Sequence, residues 1–187
     1  MGLMPPSPGA RRVHKLFTNN LLTNATEYGI IRYTKKGKVI HMANTKAIYF
    51  DMDGTIADFY GVNGWLADLE ASNPRPYAEA KPLCNMAHLA RRLNTLQKAG
   101  YKVGIISWLS KTGTDEFNKA VTATKTAWLE KHLASVKFDE IHIVKYGTPK
   151  QTLGKGILFD DELPNRTKWG EGAYEPKDIF EVLGELK

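Results

Sequence analysis

With a single cysteine, Cys84, the chain has no internal disulfide and no cysteine-built zinc cluster. Its five histidines (His14, His41, His88, His132 and His142) are scattered without ligand spacing, so a histidine-held metal has no support. No apolar run approaches the roughly 20 residues of a membrane helix. The opening residues, Met1-Gly2-Leu3-Met4-Pro5-Pro6, lack the apolar stretch of a secretory leader. A reducing cytoplasm is therefore the expected location, with no membrane partner. No internal repeat is visible.

Acidic residues are nearly missing from one part of the chain. Residues 1–46 carry Arg11, Arg12, Lys15, Arg32, Lys35, Lys36, Lys38 and Lys46 against Glu27 alone. The net charge of +6 therefore belongs to this extension, and residues 47–187 are close to neutral. That argues against nucleic acid as an obligatory partner of the main domain. Residues 1–26 show no lasting periodicity and are expected to be mobile, whereas Tyr28–His41 has the pattern of a small β-hairpin. The sparse charge favours a solvated tail, with a weak basic tether for nucleic acid as the alternative. Met42 stands where an alternative translation start would leave residues 1–41 optional. The expected division is an extension over 1–45 and one main domain over 46–187.

What is present over 46–187 is a succession of short apolar runs alternating with helical patterns. At 42% hydrophobic and 25% charged residues, the composition suits one sizeable core. Strands are expected at 47–50, 101–107, 141–144 and 156–159, and helices over about 83–99, 114–133 and 176–186. Thr114 is the expected N-cap of the second helix, and Cys84 falls inside the first. Alternation of this kind predicts an α/β fold, a doubly wound parallel sheet covered on both faces. Residues 56–81 interrupt it with aromatics, prolines and the short helical piece 65–70, the make-up of a compact lid inserted after the first strand.

Two of the strands end in paired acids. Ala47-Ile48-Tyr49-Phe50 runs into Asp51-Met52-Asp53-Gly54-Thr55, and Gly156-Ile157-Leu158-Phe159 runs into Asp160-Asp161. Ligands bind at the carboxyl ends of strands in an open α/β sheet. A lone aspartate there is usually a turn or cap, but two pairs brought together repel strongly unless a divalent cation neutralises them. Mg²⁺, with its preference for oxygen ligands, suits such a set, and Asp51, Asp53, Asp160 and Asp161 are the candidate ligands. A phosphate ester at such a site needs donors, which Ser107 at the end of the middle strand and a nearby lysine can supply.

In kind and order these elements resemble the signatures of the haloacid dehalogenase superfamily of phosphohydrolases. The resemblance implies that Asp51 is the nucleophile forming an aspartyl-phosphate and that Asp53 is the general acid/base. It further implies that Ser107 holds phosphoryl oxygens, that Asp160 binds metal with Asp161 as a second ligand or an outer-shell partner, and that Thr55 supports the loop. The family's phosphate-transferring ATPases carry Thr where Asp53 stands, so Asp53 points to a phosphatase. Lys145, Lys150 and Lys155 precede the last signature; Lys150 is the expected phosphate-binding lysine, with Lys145 in reserve.

The spacing from Lys150 to Asp160, the stretch 125–133, and Asn165 with Trp169 resemble the 5′(3′)-deoxyribonucleotidase branch. That implies a nucleotide, a (deoxy)nucleoside monophosphate, as the small-molecule substrate. The lid departs from that branch, since only about 25 residues separate Thr55 from Lys81. Phe59, Tyr60 and Trp65 are the candidate substrate-binding residues, either stacking on a base or forming the lid's own core. Arg75 is either a surface residue or a contact to phosphate or base. Other readings are a phosphatase of a different small ester or of a nucleic-acid 3′-phosphate, and a non-catalytic module of the same fold that binds nucleic acid.

Overall fold

Apolar runs without polar alternation belong to strands covered on both faces, and here the strongest of them pair with one another. The computed structural model describes residues 46–187. Ahead of them it describes only the backbone pairing of β1 (Lys15–Thr18), β2 (Leu21–Thr26), β3 (Gly29–Tyr33) and β4 (Val39–Met42), an antiparallel sheet in that order. The expected mobile tail and basic tether otherwise lie outside the described residues.

The main sheet is built from β5 (Ala47–Phe50), β8 (Lys102–Trp108), β9 (Glu140–Val144), β10 (Ile157–Phe159) and β11 (Ala173–Tyr174). Its spatial order is β11-β10-β5-β8-β9, and every pairing is parallel. All four residues of β5 are buried, as its central position requires. The register sets Phe50 beside Phe159 on one side and beside Ile105 on the other. Asp51 and Asp160 therefore leave the sheet next to each other, and Asp51 N donates to Phe159 O at 2.9 Å. Ser107, two residues past Ile105, stands next to last in its strand at the same edge.

Alternate residues of these strands feed two cores. Ile48, Phe50, Val103, Ile105, Ile157 and Phe159 meet the helices α3 (Met86–Lys98) and α6 (Ile179–Glu185), together with Trp128 and Leu129 of α4 (Asp115–His132). Leu89, Leu93 and Leu96 form the buried face of α3; each stabilises the fold by about 1.5–3 kcal/mol. On the opposite face Tyr49, Ile106 and Leu158 pack with Leu153 and with Trp169 of α5 (Leu163–Trp169). Gly104 and Gly154 make room for the Tyr49 ring, which a Cβ at either position would approach to 2.7 Å. The α/β fold is the one the alternation of elements predicts.

Helix boundaries differ in places from the sequence expectation. The helix expected from about Leu83 starts at Met86, because Asn85 accepts from His88 N at 2.9 Å and caps it. Cys84 is therefore outside the helix, half-buried against the main core, and burial raises its thiol pKa. Thr114 caps α4 as expected, its Oγ1 accepting from Phe117 N at 3.2 Å. Pro176 opens a 3₁₀ turn, Pro176–Asp178, and α6 begins only after it.

The lid contains α1 (Trp65–Glu70) and a second short helix, α2 (Arg75–Glu79), which composition alone did not indicate. Its two ends, β6 (Ala57–Asp58) and β7 (Lys81–Pro82), form an antiparallel ribbon that anchors it to the domain. Phe59 and Tyr77 of the lid share a small core with Phe117 and Val121 of α4. Arg75 is a strut within the lid: it binds Asp68 and Glu79 and donates to Asn63 O at 2.8 Å. Among the described residues no helix is long and apolar enough to cross a membrane.

Candidate active site

Where β5 ends, the chain folds into a tight loop. The carbonyl of Met52 accepts from the amides of Thr55, Ile56 and Ala57 at 3.1, 3.0 and 2.9 Å. Gly54 makes this possible with φ +75°, and a Cβ there would stand 2.5 Å from Asp161 Oδ2. The absence of a side chain is what lets the loop close against the second acidic pair. Thr55 ties the two loops together, as the expected supporting role requires. Its hydroxyl donates to Asp161 Oδ1 at 3.2 Å and accepts from Asp161 N at 3.1 Å.

One carboxylate oxygen from each of Asp51, Asp160 and Asp161 falls within 4.8 Å of the others. Asp160 is fully buried; its Oδ1 accepts from Glu162 N at 2.9 Å, and Asn165 Nδ2 lies 3.3 Å from both its oxygens. Burial raises the Asp160 pKa, and the negative charge of Asp51 adds to it. Asp161 is pushed up to about 6 by burial and then by Asp51 and Asp160. Arg166 fixes the peptide that carries both acids, its Nη1 donating to Asp160 O and Asp161 O at 2.8 and 2.6 Å.

Lys150 enters this group from a 3₁₀ turn, Lys150–Thr152, that returns to the carboxyl edge of the sheet. Its ammonium lies 2.6 Å from Asp160 Oδ2 and 3.1 Å from Asp51 Oδ1. Burial works against the charged form, but Asp51 and Asp160 outweigh it and hold the Lys150 pKa above the ordinary lysine value. Of the other two lysines considered, Lys155 is exposed just ahead of β10, and Lys145 is exposed on the rim of a separate cavity. Asp51 Oδ1 is buried and has no partner in hydrogen-bond geometry, although Lys150 is at ion-pair distance.

Asp53 stands outside the three-carboxylate group and faces a second lysine. Lys125 Nζ donates to Asp53 Oδ2 at 2.7 Å, to Ser107 Oγ at 2.9 Å and to Trp108 O at 2.7 Å. Sequence reasoning did not single out Lys125. Its signal was positional, since it falls four residues after Val121 and four before Leu129, in the middle of the apolar face of α4. Burial raises the Asp53 pKa; Lys125 opposes the shift, and Asp51 adds to it. Ser107 is fully buried and accepts from Lys125, which leaves its own hydroxyl hydrogen available for another acceptor.

The three lid aromatics have unequal surroundings. Phe59 is buried, with ring centroids 4.6 Å from Tyr77 and 5.5 Å from Trp65, so it belongs to the lid's own core. Tyr60 is 51% exposed, edge-on to Trp65 at 5.4 Å. Its pKa is raised by burial and then by the charges of Asp161, Asp53 and Asp51. Trp65 is half-buried between them.

The donor set fits a hard divalent cation. It consists of carboxylate oxygens alone; Asp51 and Asp160 share Lys150, Asp53 pairs with Lys125, and Asp161 has no ion pair with either lysine. The surplus of negative charge is what one divalent cation neutralises, and Asp51 Oδ1 is a buried oxygen still lacking a hydrogen-bond donor.

No family model and no curated protein matches the chain. Among solved structures it is similar to a D,D-heptose 1,7-bisphosphate phosphatase from Burkholderia thailandensis. That match has 16% identity and a TM-score of 0.43, and covers 69% of this chain and 75% of that one. A D,D-heptose 1,7-bisphosphate phosphatase from B. bronchiseptica, complexed with magnesium and phosphate, matches at 12% identity with a TM-score of 0.45. There the match covers 76% of this chain and 89% of the other. Likeness at this level carries neither substrate nor mechanism across.

Proposed function

We propose that the protein is a Mg²⁺-dependent phosphomonoesterase that hydrolyses (deoxy)nucleoside monophosphates to nucleoside and phosphate through an aspartyl-phosphate. The observation that carries this reading is the split of the site between two buried lysines. Lys150 lies within the Asp51 and Asp160 pair, and Lys125 holds Asp53 apart from them. Two neighbouring aspartates of one loop thereby acquire different environments, the condition for two different roles.

Asp51 is the nucleophile. Its carboxylate attacks phosphorus and forms the acyl phosphate as the ester P–O bond breaks. Asp53, with its pKa raised by burial, gives its proton to the departing alkoxide. It then takes a proton from the water that cleaves the acyl phosphate, which releases inorganic phosphate and restores Asp51. Lys125 fixes Asp53 through Oδ2 and leaves Oδ1 to face substrate. Ser107 donates its free hydroxyl hydrogen to a phosphoryl oxygen, and Lys150 adds positive charge beside Asp51. Asp51, Asp160 and Asp161 would hold Mg²⁺, which when bound offsets the repulsion between these carboxylates and the phosphate.

The nucleoside is assigned to the lid side, where half-exposed Tyr60 and half-buried Trp65 offer ring surface. The test is phosphate release from deoxynucleoside and nucleoside monophosphates and sugar phosphates, with and without Mg²⁺. Metal-dependent release that favours nucleotides is expected. Equal rates on sugar phosphates would remove the nucleotide assignment, and turnover undiminished by chelation would remove the metal.

A further inference from the structure

Beyond the acids, on the far side of Trp108, lies a cavity of about 480 Å³ that the proposed chemistry does not use. Its lining includes Lys111, Lys119, Lys145 and Tyr146. The three lysines come from separate segments: the loop after β8, the first turns of α4 and the loop after β9. All three are exposed, and none forms an ion pair with a described residue. Asp115 is the acid that shares the lining. Three lysines lining one concavity with a single carboxylate make a local positive field.

The cavity is joined to the acidic site by two aromatic rings. Lys150 Nζ lies 5.1 Å from the centroid of the Trp108 ring, and Trp108 is 4.9 Å from Tyr146. On the far side Lys111 Nζ stands 5.6 Å from the Tyr146 centroid. Trp108 is locked in place, its Nε1 donating to Thr148 O at 2.9 Å. Asn118 of the wall is turned inward, its Nδ2 donating to Gly113 O at 3.0 Å, so the polar groups the cavity offers a ligand are the lysines. Unpaired cations beside an aromatic ring are features that hold a phosphate.

We infer that this cavity is a second-anion subsite, and that the preferred substrate carries a second phosphate, held by Lys111, Lys119 and Lys145 while the first is hydrolysed at Asp51. The inference rests on the phosphatase reading for its catalytic consequence, but not for binding itself. One ligand chemistry has two sources here: a nucleoside 3′,5′-bisphosphate, or the first internucleotide phosphate of a phosphorylated nucleic-acid end.

The experiment compares kcat/KM for thymidine 5′-monophosphate, thymidine 3′,5′-bisphosphate and thymidine dinucleotides phosphorylated at the 5′ or the 3′ end. Wild type is expected to prefer at least one doubly charged substrate over the monophosphate by about tenfold at low salt, with the preference shrinking as salt rises. A preference for the bisphosphate alone identifies a small molecule; one for a dinucleotide alone identifies a nucleic-acid end. The Lys111→Ala/Lys119→Ala/Lys145→Ala variant should bring the ratio close to one.

Calorimetric binding of the same ligands to Asp51→Asn protein and to its triple-lysine counterpart gives a readout that needs no turnover. Loss of the about tenfold binding preference in the triple variant supports the subsite even if no phosphomonoester is hydrolysed, the result that would overturn the phosphatase reading alone. Equal affinity for mono- and bisphosphorylated ligands in Asp51→Asn protein, or a preference that survives removal of the lysines, overturns the subsite.

Discussion

Lys125 Nζ lies 2.7 Å from Asp53 Oδ2, a contact between the middle of α4 and the loop after β5, 72 residues apart. Lys125 is 1% exposed, so its charge is tolerated because Asp53, Ser107 and a backbone carbonyl surround it. Replacement by Met leaves the half-buried Asp53 carboxylate without its partner. Lys125→Met is expected to lower stability by about 2–4 kcal/mol in urea unfolding. Adding Asp53→Asn to Lys125→Met should recover part of that loss. Strictly additive losses would show that the pair is not coupled.

The Asp161 carboxyl, pushed up to about 6, links metal affinity to pH. In the metal-free protein the folded state binds this proton more tightly than the unfolded chain does. The stability it contributes is therefore present at acid pH and lost as pH rises through about 6. Metal binding runs the other way, because a ligating carboxylate must give up its proton. Mg²⁺ affinity measured by titration should fall about tenfold per pH unit below 6, and less steeply in Asp161→Asn. A flat profile between pH 5 and 7.5 would contradict the placement of Asp161 in the metal group.

Gly54 is held at φ +75° with Asp161 where a Cβ would go. Gly54→Ala is expected to cost about 1–2 kcal/mol from backbone strain, with a further penalty from displacing Asp161. The two effects separate in the readout: strain lowers the thermal midpoint of the metal-free protein, and displacement of Asp161 weakens Mg²⁺ activation. An unchanged Mg²⁺ requirement would mean that Asp161 is not held by this close approach.

Phe59 and Tyr60 are sequence neighbours with different tasks. Phe59→Ala should lower stability by about 3–5 kcal/mol, since Phe59 fills the core shared by the lid and α4. Tyr60→Ala removes a half-exposed ring and should leave stability nearly unchanged while raising KM for nucleotides. Calorimetry and steady-state kinetics on both variants check the contrast; a reversed pattern would exchange the two roles.

Much of this arrangement was legible in the chain. The runs ending at Phe50 and Phe159 gave both acidic pairs, because a buried parallel strand is a continuous apolar stretch with an abrupt polar end. Lys150 was readable from its place ahead of Asp160, although only the 3₁₀ turn explains why it reaches the acids and Lys145 does not. Lys125 was not read as part of the site because a helical lysine is ordinarily a solvated one. Its position in the Phe117, Val121 and Leu129 stripe was the contrary signal. The capping of α3 by Asn85 and the burial of Phe59 depend on tertiary contacts that no local pattern carries.

The most direct test of the aspartyl-phosphate tracks phosphate from substrate to protein. Protein turning over a radiolabelled nucleoside monophosphate with Mg²⁺ is quenched in acid and digested, and the labelled peptide is identified. The predicted result is an alkali-labile acyl phosphate on the peptide carrying Asp51, absent in Asp51→Asn, whose turnover is lost. Full turnover by Asp51→Asn, or label on a peptide without Asp51, would contradict the mechanism.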